Sequence, residues 1–134
     1  MNRGNTDSFY QDESDLIYST IEQYYREFSY LKPSRVLKFN HTPAIFVSKR
    51  VFTVNSKFKL WLILKFVMIG LKKRNYKNSS FDCKEIKLLG KDIALVEGIV
   101  RRFDHSEREI ETIWVIYTLR KIQGNWKIVV GIYP

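Results

Sequence analysis

The sequence predicts an α+β domain, and the order of its elements favours that class. Segments with helical spacing of apolar residues come first, and strand-like segments rich in Val, Ile and aromatic residues fill the C-terminal half. Helices grouped ahead of a run of strands are typical of α+β proteins rather than of alternating α/β proteins. The length of 134 residues and a hydrophobic content of 45% fit one packed domain.

The first helix is predicted to follow a short polar segment. Residues 1–11 carry no pattern that indicates packing, so we expect a disordered leader there and a single domain over residues 12–134. Ser14 is a candidate N-cap, and Pro33 suits the first turn of a second, short helix, "PSRVLKFN". Five apolar residues of the first helix recur on one face: Ile17, Ile21, Tyr24, Phe28 and Leu31.

A long apolar helix is predicted over "KFKLWLILKFVMIGLKKR", residues 57–74, after a small hairpin in "TPAIFVSKRVFTVN". The apolar run is shorter than the roughly 20 residues that a membrane span needs. Lysines follow one narrow line of the helix, and Trp61 and Met68 fill the gaps along that line. A helix that is apolar over most of its circumference is usually buried on several sides, so we expect a core helix. An in-plane membrane anchor is the alternative.

The C-terminal half is predicted to form an antiparallel meander. Its strand candidates are "FDCKEIKLLGKD", "IALVEGIVRRFD", "TIWVIYTLRKI" and "NWKIVVGIYP". The polar stretch "HSERE" and the dipeptide Gly-Asn in "QGN" supply turns between them.

The net charge of +9 is concentrated in the middle of the chain. Residues 28–81 contain twelve Lys and Arg and no Asp or Glu. Such a field attracts nucleic acid, anionic lipid or an acidic protein, or it serves solubility alone. Nucleic-acid binding is disfavoured because no RNP, KH or helix-turn-helix pattern is present. A membrane partner is disfavoured as well, and an interaction module for an acidic partner is retained as an alternative.

Metal and disulfide chemistry have little support in the sequence. Cys83 is the single cysteine, and the two histidines, His41 and His105, lie far apart without ligand spacing. We therefore expect no metal site and no cofactor. The N-terminal stretch has no apolar core of a secretory signal, and with one cysteine this favours a cytoplasmic location.

Four motifs in order resemble one known superfamily. "EQYYREF" resembles the end of the first helix of that superfamily, and "FNHTPAIFVS" resembles the entry to its first strand. "ALVEGIVRRFD" resembles a strand that ends in Arg, an aromatic residue and Asp, and "IYTLRKIQGNWKIV" resembles the terminal hairpin. The superfamily is the NTF2-like one, within it the SnoaL-like and ketosteroid-isomerase-like proteins. The resemblance implies a cystatin-like cone, in which N-terminal helices and one long helix pack on a strongly curved antiparallel sheet. It also implies a pocket between the long helix and the concave sheet.

The resemblance leaves the activity open, because members include isomerases, cyclases, dehydratases and ligand binders. Isomerase-type members carry a general-base carboxylate just after the second helix, where "NHTPAIFVSKRVFTVNS" has no Asp or Glu. We therefore favour a protein that binds a small organic molecule in an apolar pocket. The alternative is an isomerase, cyclase or dehydratase that uses His41 and Tyr24.

Five residues are the candidate pocket lining: Tyr24, His41, Phe46, Arg102 and Tyr117. His41 is a candidate base near neutral pH, or a cap of the short helix. Tyr24 is a candidate donor to a ligand oxygen, or a core tyrosine bonded to backbone. For Arg102 the structural alternative is an ion pair with Asp104, since alternation alone does not tell which strand face points inward.

A homodimer is predicted from the segment "TIWVIYTL". Trp114 and Ile116 share one strand face, and Tyr117 lies on the other with further apolar residues. Since both faces are partly apolar, we expect one face to cover the core and the face of Trp114 and Ile116 to meet a second copy. Sheet-to-sheet homodimers are common among the proteins that the chain resembles.

Overall fold

The computed structural model describes the backbone of residues 3–134 and the side chains of residues 8–134. Two long helices pack on one six-stranded sheet, which confirms the predicted α+β class. The elements are α1 Arg3–Phe28, β1 Asn40–Val47, β2 Val51–Val54, α2 Lys57–Lys73, β3 Tyr76–Leu88, β4 Ile93–Asp104, β5 Glu109–Ile122 and β6 Asn125–Ile132.

Helix α1 begins well before Ser14, the predicted N-cap. This differs from the expected disordered leader over residues 1–11, since residues 3–11 are helical and residues 1 and 2 lie outside the described residues. Two contacts hold this early part of the helix to the sheet. The Tyr10 hydroxyl donates to the Leu88 carbonyl at 3.0 Å, and the Glu13 carboxylate is buried against β5 and β6.

The segment between α1 and β1 is tighter than the predicted short helix. It forms two 3₁₀ turns, Pro33–Arg35 and Leu37–Phe39. Leu31 adopts a positive φ of 56°, which ends the preceding helical path. Val36 and Phe39 are buried, so these turns close one end of the core.

The sheet has the strand order β2-β1-β6-β5-β4-β3. The predicted hairpin β1–β2 and the meander β3 to β6 are antiparallel, but β1 and β6 pair in parallel. The sheet is therefore antiparallel, as expected, except at this one pair of strands. The register shifts in β1–β6, β3–β4, β4–β5 and β5–β6, and such bulges bend strands and increase twist.

Burial shows which strand face points inward. Every second residue is buried from Ala94 to Val100 in β4 and from Val115 to Leu119 in β5, and these residues face the helices. They include Ala94, Val96, Val100, Val115, Tyr117 and Leu119. Arg102 continues the inward set of β4, whereas Trp114 and Ile116 lie on the outward face of β5.

Helix α2 is buried on one side only, which corrects the expectation of a helix buried on several sides. Its N-cap is Ser56, whose Oγ accepts from the Lys59 amide at 3.1 Å. The inner stripe consists of Leu60, Leu64, Met68 and Leu71, all at most 7% exposed. On the other side Phe58 and Phe66 are 69% and 72% exposed. Met68, expected on the lysine line, instead joins the core.

Candidate functional site

A cavity of about 470 Å³ opens between α2, the end of α1 and the inward face of the sheet. Its walls are mainly apolar, and its two charged groups, Arg102 and Glu111, lie on β4 and β5. The lining residues are Tyr24, Phe28, Asn40, Phe46, Ser48, Phe52, Leu60, Ile63, Leu64, Val67, Arg102, Glu111, Ile113, Tyr133 and Pro134.

Arg102 reaches this cavity because of strand alternation in β4. The residue directly opposite on β5 is Glu111, and the Arg102 Nη1 donates to Glu111 Oε2 at 3.0 Å. Arg74, just beyond the end of α2, donates to the same carboxylate oxygen at 3.3 Å. The structural alternative for Arg102 is an ion pair with Asp104. The pair forms with Glu111 across the strands instead, while Asp104 Oδ1 accepts from the amides of Ser106 and Arg108.

Only part of the hydrogen-bonding capacity of the Arg102 guanidinium is used within the described residues. Its side chain is 18% exposed, and its Nε is buried without a hydrogen-bond partner among the described residues. The guanidinium carbon also lies 5.7 Å from the centre of the Phe28 ring. A buried N–H without an acceptor destabilises a fold. The cavity wall therefore holds a cationic donor with unused hydrogen-bonding capacity.

Tyrosine hydroxyls surround this end of the cavity. Tyr24 and Tyr133 line it, and Tyr117 packs behind them with its ring 6.5 Å and 6.3 Å from theirs. Tyr117 and Tyr25 share a hydrogen bond between their hydroxyl groups. Burial raises the pKa values of Tyr24 and Tyr133 above 10, the usual value for tyrosine. Both phenols therefore stay protonated near neutral pH and act as hydrogen-bond donors or neutral acceptors.

Phe46 and Tyr133 approach each other across the parallel seam between β1 and β6. Gly131 lies opposite Phe46, and a Cβ at Gly131 would come within 2.9 Å of the Tyr133 hydroxyl and 3.1 Å of the Phe46 ring. The absence of a side chain at Gly131 therefore lets these two rings line the cavity together.

His41 lies outside the cavity lining, unlike the neighbouring Asn40. Adjacent strand residues point to opposite faces, so the inward position of Asn40 directs His41 away. The Nδ1 of His41 lies 2.9 Å from the Pro43 carbonyl oxygen, a local structural contact. The structure thus brings Tyr24, Phe46 and Arg102 together, places Tyr117 one layer behind, and separates His41 from them.

Two lining residues that sequence reasoning missed had a readable signal. Glu111 lies on the same face of β5 as Ile113, Val115 and Tyr117. A carboxylate on an otherwise apolar strand face indicates a charge that points inward. Tyr133 lies two residues after Gly131, at the end of β6, and two-residue spacing in a strand places both on the same face. Asn40 had no comparable signal, because its burial depends on the 3₁₀ turns before it; its side-chain amide donates to the Val36 carbonyl at 3.0 Å.

The outward face of β5 carries the two residues predicted to form a dimer interface. Trp114 is 49% exposed, and its Nε1 donates to Glu97 Oε2 at 2.8 Å. Ile116, half-buried, pairs in register with Glu97.

Neither metal-binding clusters nor membrane-spanning helices are found in the part of the chain that the structure describes. No group of three or more His, Cys, Asp or Glu residues there has the arrangement to hold a metal ion. Likewise, no helix within residues 3–134 combines the length and apolar character needed to cross a bilayer.

Comparisons with solved structures agree with this architecture. Aln2 from a Streptomyces species matches with a TM-score of 0.76 at 9% identity, over 92% of this chain and 90% of that one. A domain with a cystatin-like fold from Nostoc punctiforme gives 0.73 at 13% identity, over 92% and 76%. A ketosteroid isomerase-like protein from Erwinia carotovora atroseptica gives 0.66 at 13% identity, over 89% and 92%. At these identities the likeness concerns the fold.

Sequence comparison assigns the family directly. No curated protein gives a significant match to the chain. The family model described as "NTF2-like protein (DUF6841)" matches residues 12–133, which is most of the chain. The chain belongs to this NTF2-like family.

Proposed function

We propose that the protein binds a small amphipathic organic molecule, with an anionic or carbonyl oxygen at Arg102 and an apolar body beneath α2. The observation that carries the proposal is the buried Nε of Arg102, which lacks a partner among the described residues and belongs to a cavity wall. The Arg102 side chain is 18% exposed, so a ligand oxygen in the cavity would accept from its guanidinium, and a small rotation of that side chain would bring the unpaired Nε to the same acceptor.

The remainder of the cavity suits an apolar body. Phe28, Phe46, Ile63, Val67 and Ile113 provide aromatic and aliphatic walls. The volume of about 470 Å³ falls within the range of roughly 300 to 1,000 Å³ that is common for small-molecule sites. Burial of apolar surface would supply affinity, and the few polar groups would fix the orientation of the ligand.

Binding is favoured over catalysis by the character of the polar groups. The Glu111 carboxylate already accepts from Arg102 and Arg74, and the Tyr24 phenol is held protonated by burial. General-base catalysis needs a basic group within hydrogen-bond reach of the substrate. The alternative of an isomerase-type enzyme relied on His41 facing Tyr24, and His41 lies outside the cavity.

Thermal unfolding tests the proposal with three ligands that have the same ten-carbon alkyl chain and different head groups: decanoate, decanol and decylamine. A ligand that binds the native state alone raises the unfolding temperature. We expect the largest rise with decanoate, a smaller one with decanol and the smallest with decylamine. Equal shifts for decanoate and decylamine, or no shift with any of the three, would contradict an oxygen-binding site at Arg102.

We also propose that the protein forms a homodimer through the outward face of β5. Trp114, which is 49% exposed, and the half-buried Ile116 support this, since exposed aromatic residues are enriched in protein interfaces. Light scattering at micromolar concentration is expected to give the dimer mass, and Trp114→Ser is expected to give the monomer. A monomer for the unmodified protein would count against the proposal.

A further inference from the structure

Helix α2 carries two apolar stripes with the same spacing on opposite sides. The inner stripe runs from Leu60 to Leu71 in steps of four, four and three residues. An outer stripe, shifted by two residues, repeats these steps. Because two residues turn an α-helix by about 200°, the outer stripe points away from the sheet. Its members are Phe58, Leu62, Phe66 and Ile69.

Three of the four residues of the outer stripe are open to solvent, and Leu62 is half-buried. Phe58, Phe66 and Ile69 are 69%, 72% and 43% exposed. The Phe58 ring also stacks on Trp61, with ring centres 6.4 Å apart and an angle of 8° between the planes. Contiguous exposed apolar surface of this kind marks an interaction site rather than ordinary surface.

Basic side chains frame the outer stripe. Lys65 and Lys72 follow one edge of it, Lys59 the other, and Lys73 continues it at the C-terminal end. None of these four lysines forms a salt bridge within residues 8–134. The surrounding residues 28–81 contain no Asp or Glu. The face therefore combines apolar surface with uncompensated positive charge.

We propose that the outer stripe of α2 docks on an anionic lipid membrane, with the helix lying in the plane of the head groups. Helices with Phe, Trp and Leu on one face and lysines beside them bind such surfaces by burying the apolar side chains and attracting anionic lipids. The helix lies on the membrane and does not cross it, in keeping with the lack of a spanning helix in the described chain.

The composition of α2 favours lipid over a protein partner. From Lys57 to Lys73 the helix has only apolar residues, one glycine and lysines, with the Trp61 N–H as its one neutral side-chain donor. Protein interfaces carry regular hydrogen bonds and are depleted in lysine. A second copy is disfavoured too, since a two-fold contact through this face would bring lysines of the two helices together, and neither helix has an Asp or Glu to pair with them.

The sequence alone disfavoured a membrane because the apolar residues of this helix were expected to be buried. The structure buries four of them and exposes four others, Phe58, Phe66, Val67 and Ile69. The opposite flank of the helix lines the cavity with Ile63 and Val67. A docked helix therefore sets the cavity beside the lipid surface, although docking itself does not depend on what the cavity binds.

Vesicle co-sedimentation of the full chain tests the proposal. Vesicles of phosphatidylcholine alone are compared with vesicles of phosphatidylcholine and phosphatidylglycerol in equal amounts. We expect binding to the phosphatidylglycerol vesicles that weakens as salt is added. The double variant Phe58→Ser with Phe66→Ser is expected to lose about tenfold or more of the partition coefficient. The matched control is Leu16→Ser, which replaces an exposed apolar residue of α1. Its partition coefficient should equal that of the parent.

Charge is tested separately with Lys65→Glu and Lys73→Glu. Both should weaken binding, whereas Lys91→Glu, in the exposed turn between β3 and β4, should not. Circular dichroism of each variant verifies that it is folded. Absence of sedimentation at low salt, or unchanged binding of the double Phe variant, would overturn the proposal. Phe-dependent binding to polyglutamate without binding to vesicles would assign the face to an acidic protein and overturn it as well.

Discussion

Two contacts between a carboxylate and a cation lie near opposite ends of β5 and differ in how fully their hydrogen-bonding groups are paired. Glu13 is 6% exposed; its Oε1 accepts from the Lys121 ammonium at 2.7 Å and its Oε2 from the Trp126 indole at 2.8 Å. Arg102 pairs with Glu111 at 3.0 Å but keeps a buried Nε without a partner among the described residues. The first contact uses both carboxylate oxygens, and the second leaves a donor unused.

This difference separates a structural contact from a candidate binding contact. At Glu13 both carboxylate oxygens are paired within the protein, and the contact holds the start of α1 against β5 and β6. At Arg102 the unused donor lies beside a cavity with mainly apolar walls. A charged group that is fully paired stabilises the fold, while one that is partly paired next to a cavity is available for recognition.

The largest expected effect is on stability, at Glu13. Glu13→Ala leaves the Lys121 ammonium and the Trp126 N–H without their acceptor, so we expect the free energy of unfolding to fall by about 2 to 3 kcal/mol. Urea unfolding followed by circular dichroism measures the change. Glu22→Ala, at an exposed position of the same helix, is the control and should have little effect. Equal losses for both variants would show that Glu13 does not fasten α1.

The pH dependence of stability should reveal the same contact, with a smaller effect. The hydrogen bond from Lys121, supported by the one from Trp126, lowers the pKa of Glu13 below its usual 4.5, although burial by itself would raise that pKa. A lowered folded-state pKa gives stability that is present above the unfolded value and is lost as pH falls through the folded value. The stability difference between the parent and Glu13→Gln should therefore shrink below about pH 4.5.

That measurement has an internal control, since Glu27 and Asp82 also have lowered pKa values and stay the same in both proteins. Their contributions cancel in the difference. A difference that stays constant or grows between pH 6 and pH 3 would contradict a stabilising ionised Glu13.

The smallest expected effect is at the cavity, with Tyr24→Phe. Removing one neutral donor to a ligand oxygen should weaken decanoate binding by a few-fold, corresponding to about 1 kcal/mol. Isothermal titration calorimetry measures the change, and Tyr18→Phe, on the exposed side of α1, is the control. Unchanged affinity for Tyr24→Phe would remove this hydroxyl from the proposed recognition site.

The sequence predicted the fold class and element order because these follow from local spacing and turn residues. Of the five candidate lining residues, Tyr24, Phe46 and Arg102 lie at the cavity, and for Tyr24 the apolar stripe of its helix indicates the inward side. His41 lies outside the lining, because the face on which a strand residue lies depends on the register of β1 against β6. That parallel seam joins residues far apart in the chain, and local patterns carry no information about it.

Helix α2 shows the same limit. Its near-continuous apolar sequence indicated burial on several sides, but burial depends on how many elements are available to pack around it. The sheet covers one side, and the outer stripe stays exposed. Similarly, the Arg102–Glu111 contact required the register of β4 against β5, which pairs the two residues directly.

Calorimetry of decanoate binding to Arg102→Met and Arg101→Met tests the role of the unpaired Nε most directly. Both substitutions replace arginine by an apolar side chain of similar length, but Arg101 contacts Asp82 and Glu109 and does not line the cavity. We expect the Arg102 variant to bind about tenfold or more weakly than the parent, and the Arg101 variant to bind as the parent does. Equal affinity for the parent and the Arg102 variant would contradict recognition of the ligand oxygen by Arg102.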